Sequence, residues 1–261
     1  MTETVEIQAA QPADSTQIEN LVPVKWADLP IYLFGGVGLY MLVSLGIGML
    51  FREINLWVAL LIAVSNFLVL SGSLYLFGVK RKKLSWQSIG LFPPRDLGRQ
   101  ALIGAALAFG ILPLRLIAGG IGLLIEKAFT GEIVSLSMRE SLFSVGMDTW
   151  YGVLIMTLGI GVLAPIGEEL FFRGLLFDFF KKKTGLAWGV ALSSLAFGLA
   201  HFDSLAVVLS SMLMGVVMAI AVEKTRSIWI SIFMHIATNT GAVLMMAVSL
   251  QLEKLLGTQI F

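Results

Sequence analysis

The chain has 261 residues, 57% of them hydrophobic and only 13% charged, whereas an ordinary soluble domain is about 25% charged. That balance excludes a soluble globular enzyme and predicts an all-α integral membrane protein, because helices satisfy their own backbone hydrogen bonds in lipid. A net charge of +1 gives no handle on nucleic acid, so none is expected as a partner, and the absence of cysteine removes disulfides, thiolate metal ligands and a Cys nucleophile together.

Residues 1–24 are polar, with Glu3, Glu6, Asp14 and Glu19 and no Lys or Arg before Lys25, which predicts a disordered acidic tail on the cytoplasmic side. The tail lacks the basic and apolar regions of a signal peptide, so the first membrane segment is expected to stay as an anchor. Residues 25–125 read as N-terminal transmembrane helices at about Leu29 to Phe51, Leu56 to Val79 and Gln100 to Ile125. The first is rich in glycine (Gly35, Gly36, Gly38, Gly46, Gly48), which allows close approach of a neighbour. Between Lys80 and Arg99, six basic residues (Lys80, Arg81, Lys82, Lys83, Arg95, Arg99) stand against Asp96, and the positive-inside rule places this loop in the cytoplasm. Residues 126–150 carry two basic and four acidic residues and suit the opposite side. There Val134, Met138, Leu142, Val145 and Met147 have the spacing of an amphipathic interfacial helix, the simpler alternative being a surface connector.

Residues 151–250 form the proposed catalytic core. Tyr151 to Phe180 is longer than one span, about 45 Å if straight, and Pro165 and Gly167 predict a break or kink just ahead of two carboxylates. Helices follow at about Leu186 to Phe202, Leu205 to Val222 and Ile228 to Leu250. The whole is a polytopic bundle of about seven to eight transmembrane helices, with basic loops at 80–99, 181–183 and 223–226 on one side.

The polar residues inside these apolar spans are the candidates for function, since each ionisable group at membrane depth costs at least about 2.5–3.5 kcal/mol. Glu169 and Arg173 are four apart and can pair, while Glu168 points about 100° away and is left for another task. Both histidines of the chain, His201 and His235, lie in apolar spans, and Asn239 shares the face of His235 one turn on. Counted from the basic ends at about 1.5 Å per residue, Glu168, His201 and His235 sit roughly 20, 26 and 13 Å deep, level only if the helices tilt. A buried carboxylate can take a proton from water and return it to a leaving amine. Imidazoles can orient that water or hold a metal, and an amide can donate to an oxyanion. Zinc is thus a possible cofactor on Glu168, His201 and His235, although His-x-x-x-His spacing is absent and the ligands would come from three helices.

Blander readings stand beside these. A Glu–Arg pair at this spacing often only braces a helix, and a membrane histidine or asparagine often only ties two helices together. Arg115, between Leu114 and Leu116 after Pro113, either pairs with Glu169, receives a substrate carboxylate, or snorkels to the interface. Ser193-Ser194 and Ser210-Ser211 read as packing residues, and no Gly-x-Ser-x-Gly or Gly-rich phosphate loop is present.

Glu168-Glu169-x-x-x-Arg173, Phe197-x-x-x-His201 and His235-x-x-x-Asn239 resemble, in order and spacing, the motifs of the CAAX-processing type II endopeptidases and their bacteriocin-processing relatives. The resemblance covers mainly residues 150–245, and Gly90-Leu-Phe-Pro-Pro resembles bacterial members. It implies a multi-pass intramembrane endopeptidase of a bacterial inner (cytoplasmic) membrane, embedded in the lipid bilayer and acting on a peptide or membrane-associated protein. It further implies water activated by Glu168 with His201, an oxyanion held by His235 and Asn239, and supporting roles for Glu169 and Arg173, by a metallo- or metal-free glutamate-dependent route. The alternatives are a non-catalytic scaffold or regulator, such as a bacteriocin-immunity protein, and a proton or ion pathway through the same groups.

Overall fold

The computed structural model describes residues 21–51, 53–93, 96–131 and 144–257, and among them every regular element is helical. In chain order the helices are α1 (Asp28–Leu50), α2 (Leu56–Val79), α3 (Leu97–Thr130), α4 (Trp150–Thr184), α5 (Leu186–Leu199), α6 (Leu205–Thr225) and α7 (Trp229–Leu256). All but α5 are long and apolar enough to cross a membrane. The polytopic all-α bundle expected from composition is therefore borne out. The helices start where side chains can cap them. Asn55 accepts from the Trp57 and Val58 amides, Asp96 from Arg99, Thr149 from Gly152 and Ser204 from Val207. Leu102, Phe109, Leu116 and Leu124 run exposed along α3, as a face meant for lipid would.

The basic segments collect at one end. Lys83 pairs with Asp28 at 3.0 Å, Lys181 with Glu223 at 2.7 Å, and the Ile228 amide beyond Arg226 bonds the Gly90 carbonyl at 3.3 Å. At the other end the Glu126 carboxylate caps the Leu205 amide at the start of α6. Helix α3 runs through Thr130, so Glu126 and Lys127 belong to it and not to a connector. Met147 is fully buried with Ala59, Met156 and Val243. Val134, Met138 and Leu142 lie outside the described residues, as do residues 1–20 of the acidic tail.

Of the break or kink expected at Pro165 and Gly167, the break is absent: α4 is continuous from Trp150 to Thr184. Its hydrogen-bond register changes instead, with π-helical segments at Thr157–Leu163 and Leu170–Phe177 flanking the turn Ala164–Glu169. The Ala164 amide reaches back five residues to Gly159, so in that register the nitrogen of Pro165 would face the Ile160 carbonyl. Proline has no hydrogen to offer there, and the Asn239 amide of α7 donates to the Ile160 carbonyl at 3.2 Å instead. Thr240 donates to the next carbonyl, Gly161, at 3.4 Å. The helix stays whole because a neighbour supplies the missing donors.

Two antiparallel registers place the site. Against α4, α5 has Gly189 on Lys181 and Phe197 on Phe172 and Arg173, so one turn further on His201 meets the level of Glu168 and Glu169. Against α4, α7 begins with Ile228 beside Gly174, which brings His235 to the same level. Depth counting missed this because the basic end of α4 extends ten residues beyond the point where α7 begins. The 14 residues of α5 span only about 21 Å, and His201 follows in the turn just beyond its far end. Gly167 sits where an added Cβ would be 2.7 Å from Phe67 Cα, and this close approach sets Asn66 of α2 against the neighbouring Glu168.

Candidate active site

Glu169 and Arg173 are the buried base of the site, 0% and 3% exposed. Arg173 Nη1 lies 3.0 Å from Glu169 Oε1, and His235 Nδ1 reaches the same oxygen at 2.9 Å. The guanidinium also lies over the Phe197 ring, 4.2 Å from its centroid, an arrangement worth about 0.5–2 kcal/mol. Phe197 is in edge contact with both His201 and His235, and so spaces the two imidazoles. The pairing anticipated from the i, i+4 spacing is present, and its burial explains why both partners are needed: one alone would leave an uncompensated charge in the core.

Glu168 lies above this base with a side chain 12% exposed. Its Oε1 accepts from Asn66 Nδ2 at 3.2 Å. Its Oε2 is 3.6 Å from His201 Nε2 and 3.7 Å from His235 Nε2, distances too long for direct hydrogen bonds and suited to a bridging molecule. Both rings are oriented from behind. His201 Nδ1 lies 2.8 Å from the Phe197 carbonyl, which can only accept, so Nδ1 carries the proton. His235 Nδ1 faces the Glu169 carboxylate and likewise donates. In the neutral rings each Nε2 then presents a lone pair toward Glu168.

The structure thus brings Glu168, Glu169, Arg173, His201 and His235 into one cluster, with Asn239 one turn along α7. Asn239 has one N–H on the Ile160 carbonyl, a backbone duty that its residue type did not announce. Glu169 is engaged by Arg173 and His235, whereas Arg115 Nε bonds Ser210 Oγ at 3.2 Å across the α3–α6 seam. Ser210 is therefore more than a packing residue. Asn66 was missed by motif reading; the signal was an amide in the apolar span Leu56–Val79, where a buried polar group calls for a partner. Glu168, His201 and His235 are zinc-type donors with oriented rings, yet among the described residues no three His, Asp or Glu side chains are grouped closely enough to hold a metal ion.

Residues 150–241 match the family model described as Type II CAAX prenyl endopeptidase Rce1-like. This stretch is similar to that family. The resemblance carried by the three motifs is borne out, because the match contains all of them. A Bacillus subtilis (strain 168) protein named "Putative membrane peptidase YdiL" is 30% identical over 141 residues, 48% of this chain and 57% of the relative. The match thus spans a little over half of that relative's length. No solved structure matches the chain. The Rce1-like stretch supplies Glu168, Glu169, Arg173, His201, His235 and Asn239, and α2, which carries Asn66, lies outside it.

Proposed function

We propose that this protein is an intramembrane endopeptidase that hydrolyses a peptide bond of a peptide or membrane-associated protein, through water activated by Glu168. The carrying observation is the approach of Glu168 Oε2 to two imidazole Nε2 atoms, at 3.6 and 3.7 Å, with both rings held from behind. A water between Glu168 Oε2 and His201 Nε2 donates one hydrogen to each, which leaves an oxygen lone pair for the substrate carbonyl carbon. As the C–O bond forms, Glu168 takes the proton and the carbonyl oxygen becomes an oxyanion. Glu168 then gives that proton to the amide nitrogen as the C–N bond breaks, releasing an acid and an amine.

The oxyanion needs donors. His235 Nδ1 is already committed to Glu169, so Nε2 donates when the ring carries both protons. The second N–H of Asn239 is the other donor. Glu169 and Arg173 hold His235 in place and touch no reacting atom. Arg115 at the α3–α6 seam is assigned to a carboxylate of the substrate. A zinc ion, the alternative means of activating water, would be held by Glu168, His201 and His235, a trio that is not grouped for it among the described residues. The basic end faces the cytoplasm of a bacterial cell, in line with the charge bias of the loops.

The test is cleavage of quenched fluorogenic peptides by purified protein in detergent, comparing wild type with Glu168→Ala. Turnover that vanishes with the substitution supports the assignment, and equal turnover by both proteins overturns it. A scaffold that keeps the cluster for packing, or a proton pathway, gives no turnover that depends on Glu168.

A further inference from the structure

We infer that Asn66, on a helix outside the Rce1-like stretch, is the positioning residue for the Glu168 carboxylate. The inference rests on the proteolytic reading above and extends the working site to α2. Asn66 is buried, 5% exposed, and its Nδ2 donates to Glu168 Oε1 at 3.2 Å. The opposite amide orientation would set a carbonyl oxygen against a carboxylate, so the donor must face Glu168. Held by that bond, the carboxylate turns Oε2 toward His201 and His235, the orientation that a water-activating base requires.

A bracing role alone does not explain an asparagine here. Asn66 Oδ1 is buried without a hydrogen bond of normal geometry among the described residues, the Tyr40 hydroxyl of α1 being the polar group beside this side chain, so the amide is only partly satisfied, at a cost of up to about 1–3 kcal/mol. An apolar residue of similar size would avoid that cost in a helix otherwise built of Leu, Val and Ala. Helix–helix contact at this level is already secured by Gly167 against Phe67, and lower on α2 by Ser73 donating to the Gly35 carbonyl at 2.6 Å. The amide adds the one thing that packing does not, a donor aimed at the catalytic carboxylate.

The experiment compares wild type with Asn66→Leu, Asn66→Gln, Glu168→Gln and Ser73→Ala, each measured for kcat, KM and thermal unfolding in the same detergent. Asn66→Leu is expected to lower kcat about 10–100-fold, the usual scale for removing a group that orients a site residue, with KM within about twofold and no loss of folded protein. Asn66→Gln, which keeps an amide, should recover part of kcat. Ser73→Ala removes a helix contact remote from the carboxylate and should lower only stability. If Asn66→Leu keeps kcat within about twofold of wild type while Glu168→Gln is inactive, the positioning role is overturned and the protease reading stands. The role is equally overturned if loss in Asn66→Leu only tracks unfolding, as in Ser73→Ala. If Glu168→Gln is as active as wild type, the protease reading itself fails.

Discussion

His235 Nδ1 lies 2.9 Å from Glu169 Oε1, the same oxygen that Arg173 Nη1 holds at 3.0 Å. One carboxylate oxygen therefore ties a rigid, fully buried ion pair to an imidazole whose other nitrogen faces Glu168. The adjacent glutamates divide the work because successive side chains on a helix point about 100° apart, one into the core and one into the site.

Replacing Glu168 with Gln should abolish turnover while the protein still folds. Gln retains an oxygen for the Asn66 amide but cannot take a proton, so peptide cleavage should fall by at least about 10²–10⁴-fold. Thermal unfolding and gel-filtration profiles should match wild type.

Glu169→Ala and Arg173→Ala should fail differently. Each leaves the other charge buried and unpaired, a loss of about 3–5 kcal/mol, and should yield little folded protein. Removing both charges together should be milder than the two single losses added. Denaturant titration of the three variants checks this.

Pro165 and Asn239 should be energetically coupled although their side chains do different things. Asn239→Ala leaves the Ile160 carbonyl without its donor, whereas Pro165→Ala returns an N–H to α4. The double variant should therefore be more stable than the sum of the single changes predicts, by about 0.6–1.7 kcal/mol, the range for hydrogen bonds between membrane helices. Independent effects in a denaturant-based cycle would sink this account of the continuous helix.

Gly167→Ala should slow catalysis without touching a catalytic group. Its methyl carbon would stand 2.7 Å from Phe67 Cα, so α2 must move away and carry Asn66 from Glu168. A drop in kcat of about tenfold or more is expected, the scale for disturbing groups that orient a site residue. Kinetics at saturating peptide measure it.

Chelators should leave turnover unchanged within about twofold. The proposed mechanism uses water and protein groups, and among the described residues no trio is grouped to hold a metal ion. Loss of activity on chelation with return on added zinc would assign Glu168, His201 and His235 as ligands instead.

The membrane setting, the helices and the identity of the polar cluster were legible in the sequence, because apolar runs of span length and the expense of intramembrane charge are local properties. Helix spacing also announced the Glu169–Arg173 pair, since a four-residue step is fixed by the helix itself. Tertiary structure decided what depends on how separate helices stand against each other. Axial offset brings His201 and His235 level with Glu168, although equal counting from the chain's basic ends put them at different depths. The continuity of α4 through Pro165 depends on an amide 74 residues further on, Asn239 donating to Ile160. Asn66 stands against Glu168, 102 residues away, only because Gly167 lets α2 approach. A sequence displays the groups that must find partners in lipid; which partner each finds is decided by packing between helices, and no local periodicity encodes that.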